Sequence, residues 1–316
     1  MNSSPRVTVA ISLYNEQEVL PELLRRVGAV LDQLPSGPHE IVLVDDGSSD
    51  GTFTGVIAAA ARDARIVGVS LSRNFGHQAA LSAALDHASG DVVVVMDGDL
   101  QDPPELIPRF LEEHRRGYDV VYARRVGRKE GWLLRACYYA FYRMIAVLSD
   151  VQLPLDAGDF GLVSRRVVDR LRQMREHHRY LRGLRTWVGF RQTGVPVERA
   201  ERAAGKSQYS FGKLLRLAFD GVFAFSMAPL RAAAVFGFLA IAAALLFSAY
   251  AVYVRLVLGK SPEGFTALIL VITFFAGVQL LFLGVIGEYL GRVYEETKGR
   301  PQYIVGRTVG RGSDGS

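Results

Sequence analysis

Short apolar runs alternate with polar, helix-periodic stretches from the start of the chain. "RVTVAISL" is followed by a helical pattern over 18–34, "EIVLVDDGSSDGT" by 53–64, and "RIVGVSLSRNFG" by 77–88; then come "DVVVVMDGDLQDPP", another helical stretch and "DVVYARR". This repeated βα rhythm predicts a mostly parallel, doubly wound α/β sheet with helices on both faces. The unbroken apolar run 92–96 reads as a central strand covered on both sides. Each strand ends in a polar loop: Tyr14-Asn15-Glu16, Asp45-Asp46-Gly47-Ser48, Arg73-Asn74-Phe75-Gly76 and Asp97-Gly98-Asp99. In such sheets these loops gather along one edge, where ligands bind.

The rhythm stops near residue 210. Residues 211–225 place Phe211, Leu214, Leu215, Ala218, Val222 and Phe225 on one helical face, the pattern of a helix lying in a membrane interface. The stretches 232–254 and 265–287 carry no charge, and each is long enough to cross a hydrocarbon core. The expected organisation is a soluble domain over 1–209, an interfacial helix over 210–230, two transmembrane helices within 231–288 and a basic tail over 289–316. Arginines before the first span and after the second put the large domain and both termini in the cytoplasm, with the chain anchored in the cell membrane. "MNSSPRVTVAISLYNE" has too short an apolar core for a cleavable signal peptide.

Composition adds less. The chain has 316 residues, 49% of them hydrophobic, and a net charge of +5. An anionic membrane surface accounts for that excess, so nucleic acid is not an expected partner. The single Cys137 excludes an intrachain disulfide.

Asp97 and Asp99, at i and i+2 around Gly98, either form an ordinary turn or share a hard divalent cation. Neither GxGxxG nor GxxxxGK[ST] is present, so the phosphate-cradling glycines of the dinucleotide fold and the P-loop are missing. A nucleotide could instead be held by Asp45 accepting from a base N–H, by Tyr14 packing on a ring and by a metal on the diphosphate. Arg124, Arg125, Arg128, Lys129 and Arg135 read either as a phosphate grip or as a basic face toward anionic lipid. The adjacent His177 and His178 point in different directions on a helix and are not read as metal ligands.

"SLYNEQEVLPELL", "IVLVDDGSSDGT", "LSRNFGHQAAL", "MDGDLQDPPE" and "PLDAGDFGLVSRRVV" resemble successive blocks of the family 2 glycosyltransferases with a GT-A fold. With "AGKSQYS" and "GEYLGRVYEE", the chain resembles more narrowly the polyprenyl-phosphate glycosyltransferases, nearest the bactoprenol glucosyltransferase group and related to dolichol-phosphate mannose synthase. The likeness implies a metal site for Mg2+ or Mn2+ at Asp97 and Asp99, with Gln101 as a further ligand. It implies a nucleotide-sugar pocket from Leu13, Tyr14, Glu16, Asp45, Asp46, Asn74, Asp97 and Gly98. Asp156 and Asp159 match the block where hydroxyl-glycosylating relatives keep a base; here Asp156 is a base, an orienting group or a capped turn. Arg124, Arg125, Arg135, Lys206, Ser207 and Tyr209 are the implied acceptor-phosphate contacts.

The implied reaction is inverting transfer of a hexose, glucose from UDP-glucose first, to undecaprenyl or a similar polyprenyl phosphate. Mannose from GDP-mannose or an aminoarabinose from its UDP donor are the alternatives, and a non-enzymatic scaffold partnering a flippase is the rival. Expected partners are the UDP-sugar, the polyprenyl phosphate, the bilayer, a flippase, and further copies of the chain through the apolar "FYRMIAVL" stretch. A processive synthase would show QxxRW, but no glutamine stands ahead of Arg185-Thr186-Trp187 in that register.

Overall fold

The computed structural model describes residues 5–126, 157–174, 176–177, 179–198, 228–258 and 264–310. These fall into two compact units, a sheet domain and a pair of long helices.

In the sheet domain, β1 (Val7–Leu13), β2 (Glu40–Asp45), β3 (Ile66–Leu71) and β4 (Val92–Asp97) are the strands that the apolar runs predict. They pair in parallel in the order β3-β2-β1-β4. Helices α1 (Leu20–Asp32), α2 (Thr52–Ala60), α3 (His77–His87) and α4 (Ile107–Arg115) make the crossovers. α1 shows why the helices seat firmly: Leu20, Leu23, Val27, Val30 and Leu31 recur at helical spacing and are all buried. Each such side chain contributes about 1.5–3 kcal/mol by leaving water. Alternation along β1 divides the core. Val7, Val9, Ile11 and Leu13 pack with α1, α2 and α4, while Ala10 joins the opposite layer with α3.

Beyond β4 the sheet turns mixed. β6 (Ala157–Ser164) runs antiparallel between β4 and β5 (Val120–Val126), and β7 (Gln192–Glu198) is parallel to β5 at the edge. Helices α5 (Arg165–Gln173) and α6 (Leu181–Trp187) cover the α3 face. The other edge holds a strand that the sequence reading left inside a basic tail: β8 (Val305–Gly310) pairs antiparallel with β3. Tyr303 Oη donates to Asp86 Oδ2 at 2.7 Å, and Ser72 N–H donates to the Ile304 carbonyl at 2.9 Å, tying the returning segment to α3 and to the loop after β3.

The second unit contains α7 (Ala228–Leu258) and α8 (Phe265–Thr297), which touch through Phe236 and Phe282, 6.4 Å apart. Both are long and apolar enough to cross a membrane, and their apolar windows are not buried within the protein. With 31 and 33 residues they measure about 46 and 50 Å, against a hydrocarbon core of about 30 Å. The expected interfacial helix over 210–230 lies outside the described residues apart from the start of α7.

Candidate active site

Strands β1, β2 and β4 end side by side. Leu13 pairs with Asp45, and Ser12 pairs with Asp97, so register alone sets the two acidic loops on either side of β1. Buried Leu13 accepts the Asp46 N–H through its carbonyl at 2.9 Å. Asn15, at φ 55°, donates its N–H to Ser48 Oγ at 2.9 Å, and its side-chain oxygen accepts the Ser49 N–H at 2.9 Å. Glu16 N–H donates to Thr52 Oγ1 at 2.9 Å. These bonds stitch the first loop to the second and leave the Tyr14 ring 50% exposed.

The neighbouring aspartates do different things. Asp45 is buried and accepts from Ser70 Oγ at 3.1 Å and from the Ser48 N–H at 3.3 Å. Asp46 accepts the N–H groups of Phe75 at 2.8 Å and Gly76 at 2.9 Å, and so holds the loop that carries exposed Asn74. Burial pushes the Asp46 carboxyl up despite those two bonds. Gly47, at φ 67°, lets the loops touch: a Cβ there would lie 2.5 Å from the Arg73 carbonyl carbon.

The third loop sits against the end of β1, where a Cβ on Gly98 would lie 2.6 Å from Leu13 Cδ2. Asp99 Oδ1 accepts the Gln101 N–H at 3.1 Å. Two polar atoms here are buried without a hydrogen bond, Asp97 Oδ1 and Gln101 Nε2. The Asp97 carboxyl is pushed up to about 6 by burial, which His77 opposes and the charges of Asp159, Asp99 and Asp102 reinforce. The carboxylate oxygens of Asp97 and Asp99, with Asp97 Oδ1 buried and without a hydrogen bond, fit a hard divalent ion. Among the described residues, no group of three or more His, Cys, Asp or Glu side chains is gathered to hold a metal unaided.

The facing wall comes from β6 and α6. Asp159 takes a two-pronged ion pair from Arg182, at 2.7 and 2.6 Å. Burial pushes this carboxyl up, but the Arg182 hydrogen bonds, the nearby His77 and the charges of Arg182 and Arg185 outweigh it and hold it well below the carboxylate range. Arg185, one turn on, is buried, donates to the Gly158 carbonyl at 2.9 Å and lies 5.2 Å from the Tyr122 ring; burial lowers its pKa to about 10. His77, the first residue of α3, reaches Asp97 and Asp159.

The fold therefore brings together Leu13, Tyr14, Glu16, Asp45, Asp46, Asn74, Asp97, Gly98, Asp99, Gln101 and Asp159, all on strand ends or the loops after them, except Asp159 within β6. Arg124 is exposed on β5, one strand beyond β6. Arg125 is on the same strand, with its side chain outside the described residues; Asp156, Arg135, Lys206, Ser207 and Tyr209 lie wholly outside them. The sequence reading missed His77 and Arg182 as site residues and read Arg185 only as part of a failed QxxRW match. The three-residue spacing of Arg182 and Arg185, which puts both on one helical face, was the available signal.

Residues 8–172 match the family model described as glycosyl transferase family 2. The chain is 37% identical over 303 residues to a prophage bactoprenol glucosyl transferase homolog of Escherichia coli, covering 96% of this chain and 99% of that one. It is 38% identical over 301 residues to a prophage-derived bactoprenol glucosyl transferase of Shigella flexneri, covering 95% and 97%. An undecaprenyl-phosphate 4-deoxy-4-formamido-L-arabinose transferase of Enterobacter is 36% identical over 315 residues, covering 98% and 95%. Among solved structures, a mannosyltransferase from Pyrobaculum calidifontis in complex with GDP-Man and Mn2+ aligns at 22% identity over 79% of this chain and 81% of that one, with a TM-score of 0.47. The matched strands and loops are those that build the acidic edge, and the chain belongs to glycosyl transferase family 2.

Proposed function

We propose that this glycosyltransferase moves glucose from UDP-glucose to undecaprenyl or a similar polyprenyl phosphate, with inversion, at the cytoplasmic leaflet. The observation that carries the reading is end-to-end similarity to bactoprenol glucosyl transferases, which spans the sheet domain and both apolar helices.

A phosphate oxygen of the lipid attacks the anomeric carbon, the bond from that carbon to the diphosphate breaks, and UDP departs. The second pKa of a phosphate monoester is about 6, so the nucleophile is already ionised at pH 7 and needs no strong base. Asp159, locked to Arg182, suits that chemistry: it fixes a guanidinium and takes no proton. Asp45 accepts from the base, and Asp46 keeps the Asn74 loop in place. Asp97, Asp99 and Gln101 would hold the divalent cation, Mg2+ or Mn2+, whose charge stabilises the departing diphosphate. Arg124 and Arg125, with Arg135, Lys206, Ser207 and Tyr209, form the acceptor-phosphate side of the proposal, and Asp156 orients it.

Two crossings return a chain to the side it left, which agrees with β8 pairing in the same sheet as β1 after both helices have passed. Arginines flanking the pair support the cytoplasmic side. Self-association and a flippase partner belong to the same proposal, and crosslinking in native membranes tests both.

The deciding experiment offers membranes carrying the protein a panel of radiolabelled UDP- and GDP-sugars and extracts the lipid. Label from UDP-glucose that requires added polyprenyl phosphate and disappears with EDTA is the expected result. Label only from a UDP-aminoarabinose would favour the reading that the Enterobacter relative supports. UDP release indifferent to lipid phosphate would overturn the acceptor.

A further inference from the structure

His77 is marked in the sequence only as the start of a helix, yet the fold carries it to the meeting point of three strands. Its Nδ1 lies 3.1 Å from Ser12 Oγ on β1. Its Nε2 lies 3.4 Å from Asp97 Oδ1 on β4 and 3.8 Å from Asp159 Oδ2 on β6. Ser12 can donate to Nδ1, which leaves the ring proton on Nε2, facing both carboxylates. The Nε2 distances are too long for full hydrogen bonds, so the imidazole steers Asp97 without saturating it. Asp97 Oδ1 indeed remains a buried oxygen with no hydrogen bond. The side chain is 42% exposed, so one edge of the ring stays open to solvent.

Without this ring, Asp97 and Asp159 meet as like charges on the neighbouring strands β4 and β6. We propose that His77 is a positioning residue for glycosyl transfer: anchored by Ser12, its Nε2–H holds the cation-side carboxylate Asp97 at a fixed spacing from the Asp159–Arg182 pair. The proposal rests on the glycosyl-transfer reading and adds a residue to it. It accounts for an imidazole placed between two acidic groups where a filler side chain would have served α3 equally well.

The test uses the full-length protein and three substitutions. His77→Ala removes all three contacts; His77→Gln restores an amide N–H near the position of Nε2; His77→Asn reaches only the Ser12 side. Displacing a group that orients a ligating carboxylate costs about 10–100-fold in activity or metal affinity. The expected result for His77→Ala is a kcat for UDP release reduced by about 10–100-fold, with KM for UDP-glucose within about threefold. Mn2+ titrated into the UDP-bound protein, followed by the resonance of free Mn2+, should bind about tenfold more weakly. His77→Gln should recover most of both losses and His77→Asn neither, with melting temperatures within about 2 °C of wild type. Wild-type kcat or wild-type Mn2+ affinity in His77→Ala would overturn the proposal. So would equal rescue by asparagine and glutamine, or parallel losses in all three variants with a fall in melting temperature. The Mn2+ titration needs no acceptor; wild-type protein that binds Mn2+ and UDP but leaves polyprenyl phosphate unmodified would count against the acceptor and not against His77.

Discussion

Replacing Arg182 with methionine keeps the aliphatic stem and deletes the guanidinium that grips Asp159. Asp159 is 11% exposed and Arg182 31%, so the carboxylate is the more deeply committed partner. It would lose two charge-assisted hydrogen bonds, each contributing about 1.5–3 kcal/mol. Solvent reaching Arg182 and the remaining Arg185 charge reduce the sum, and the net cost should be about 2–4 kcal/mol, at the lower end for breaking a buried pair. For a domain of this size that lowers the melting temperature by about 5–10 °C. The pH dependence follows from the direction of the shift. The Asp159 carboxyl is depressed in the folded protein, so the pair's contribution is fully present above the unfolded value of about 3.9 and is lost as pH falls toward the folded one. The gap between wild type and Arg182→Met should stay constant from pH 8 to 6 and close in acid below about pH 4. Thermal unfolding of detergent-solubilised protein across that range, with Asp159→Ala and the double variant completing a cycle, reads out the coupling. A gap under about 1 °C at pH 7, or one that widens in acid, would refute the reasoning.

Three further outcomes are expected. Asp97→Asn should cut transfer at least about a hundredfold while leaving melting unchanged or raised, because burial already disfavours the charged carboxyl; radiolabelled lipid and a melting curve check both halves. Asp45→Ala should weaken UDP binding by about 10–100-fold in calorimetry, the worth of one charged hydrogen bond. Ending the chain after Arg300 should lower the melting temperature by about 5 °C and loosen UDP binding, since β3 loses its antiparallel partner and Ser72 its bond to the Ile304 carbonyl.

Much of the acidic edge was legible in the sequence because it is local. Strands β1 to β4 are apolar runs, and the polar residues that end them had to collect at one edge once the sheet was parallel. Asp97 and Asp99 reach that edge by the same rule, which alone leaves a turn and a cation site both open. What escaped is built from distant contacts. His77 acquires its partners only when the first turn of α3 abuts β1, β4 and β6, and nothing in "NFGHQ" announces an imidazole between two carboxylates. Asp159 reads as a candidate base until Arg182, on a separate helix, closes over it. Asp45 and Asp46 look interchangeable in "DDGS", yet one is held by Ser70 and the other by two backbone N–H groups of the next loop. β8, "VGRTVG", is short, glycine-bearing and largely exposed, so it carries no apolar period, and its partner lies far back in the chain.

That last strand also governs the order of assembly. Because β8 follows α7 and α8, the ribosome releases it only after both apolar helices have been made, and until then the outer rim of β3 presents unsatisfied peptide groups. Completion of the catalytic sheet is thereby coupled to synthesis of both apolar helices, and a nascent chain stalled before that point carries an open edge that invites aggregation.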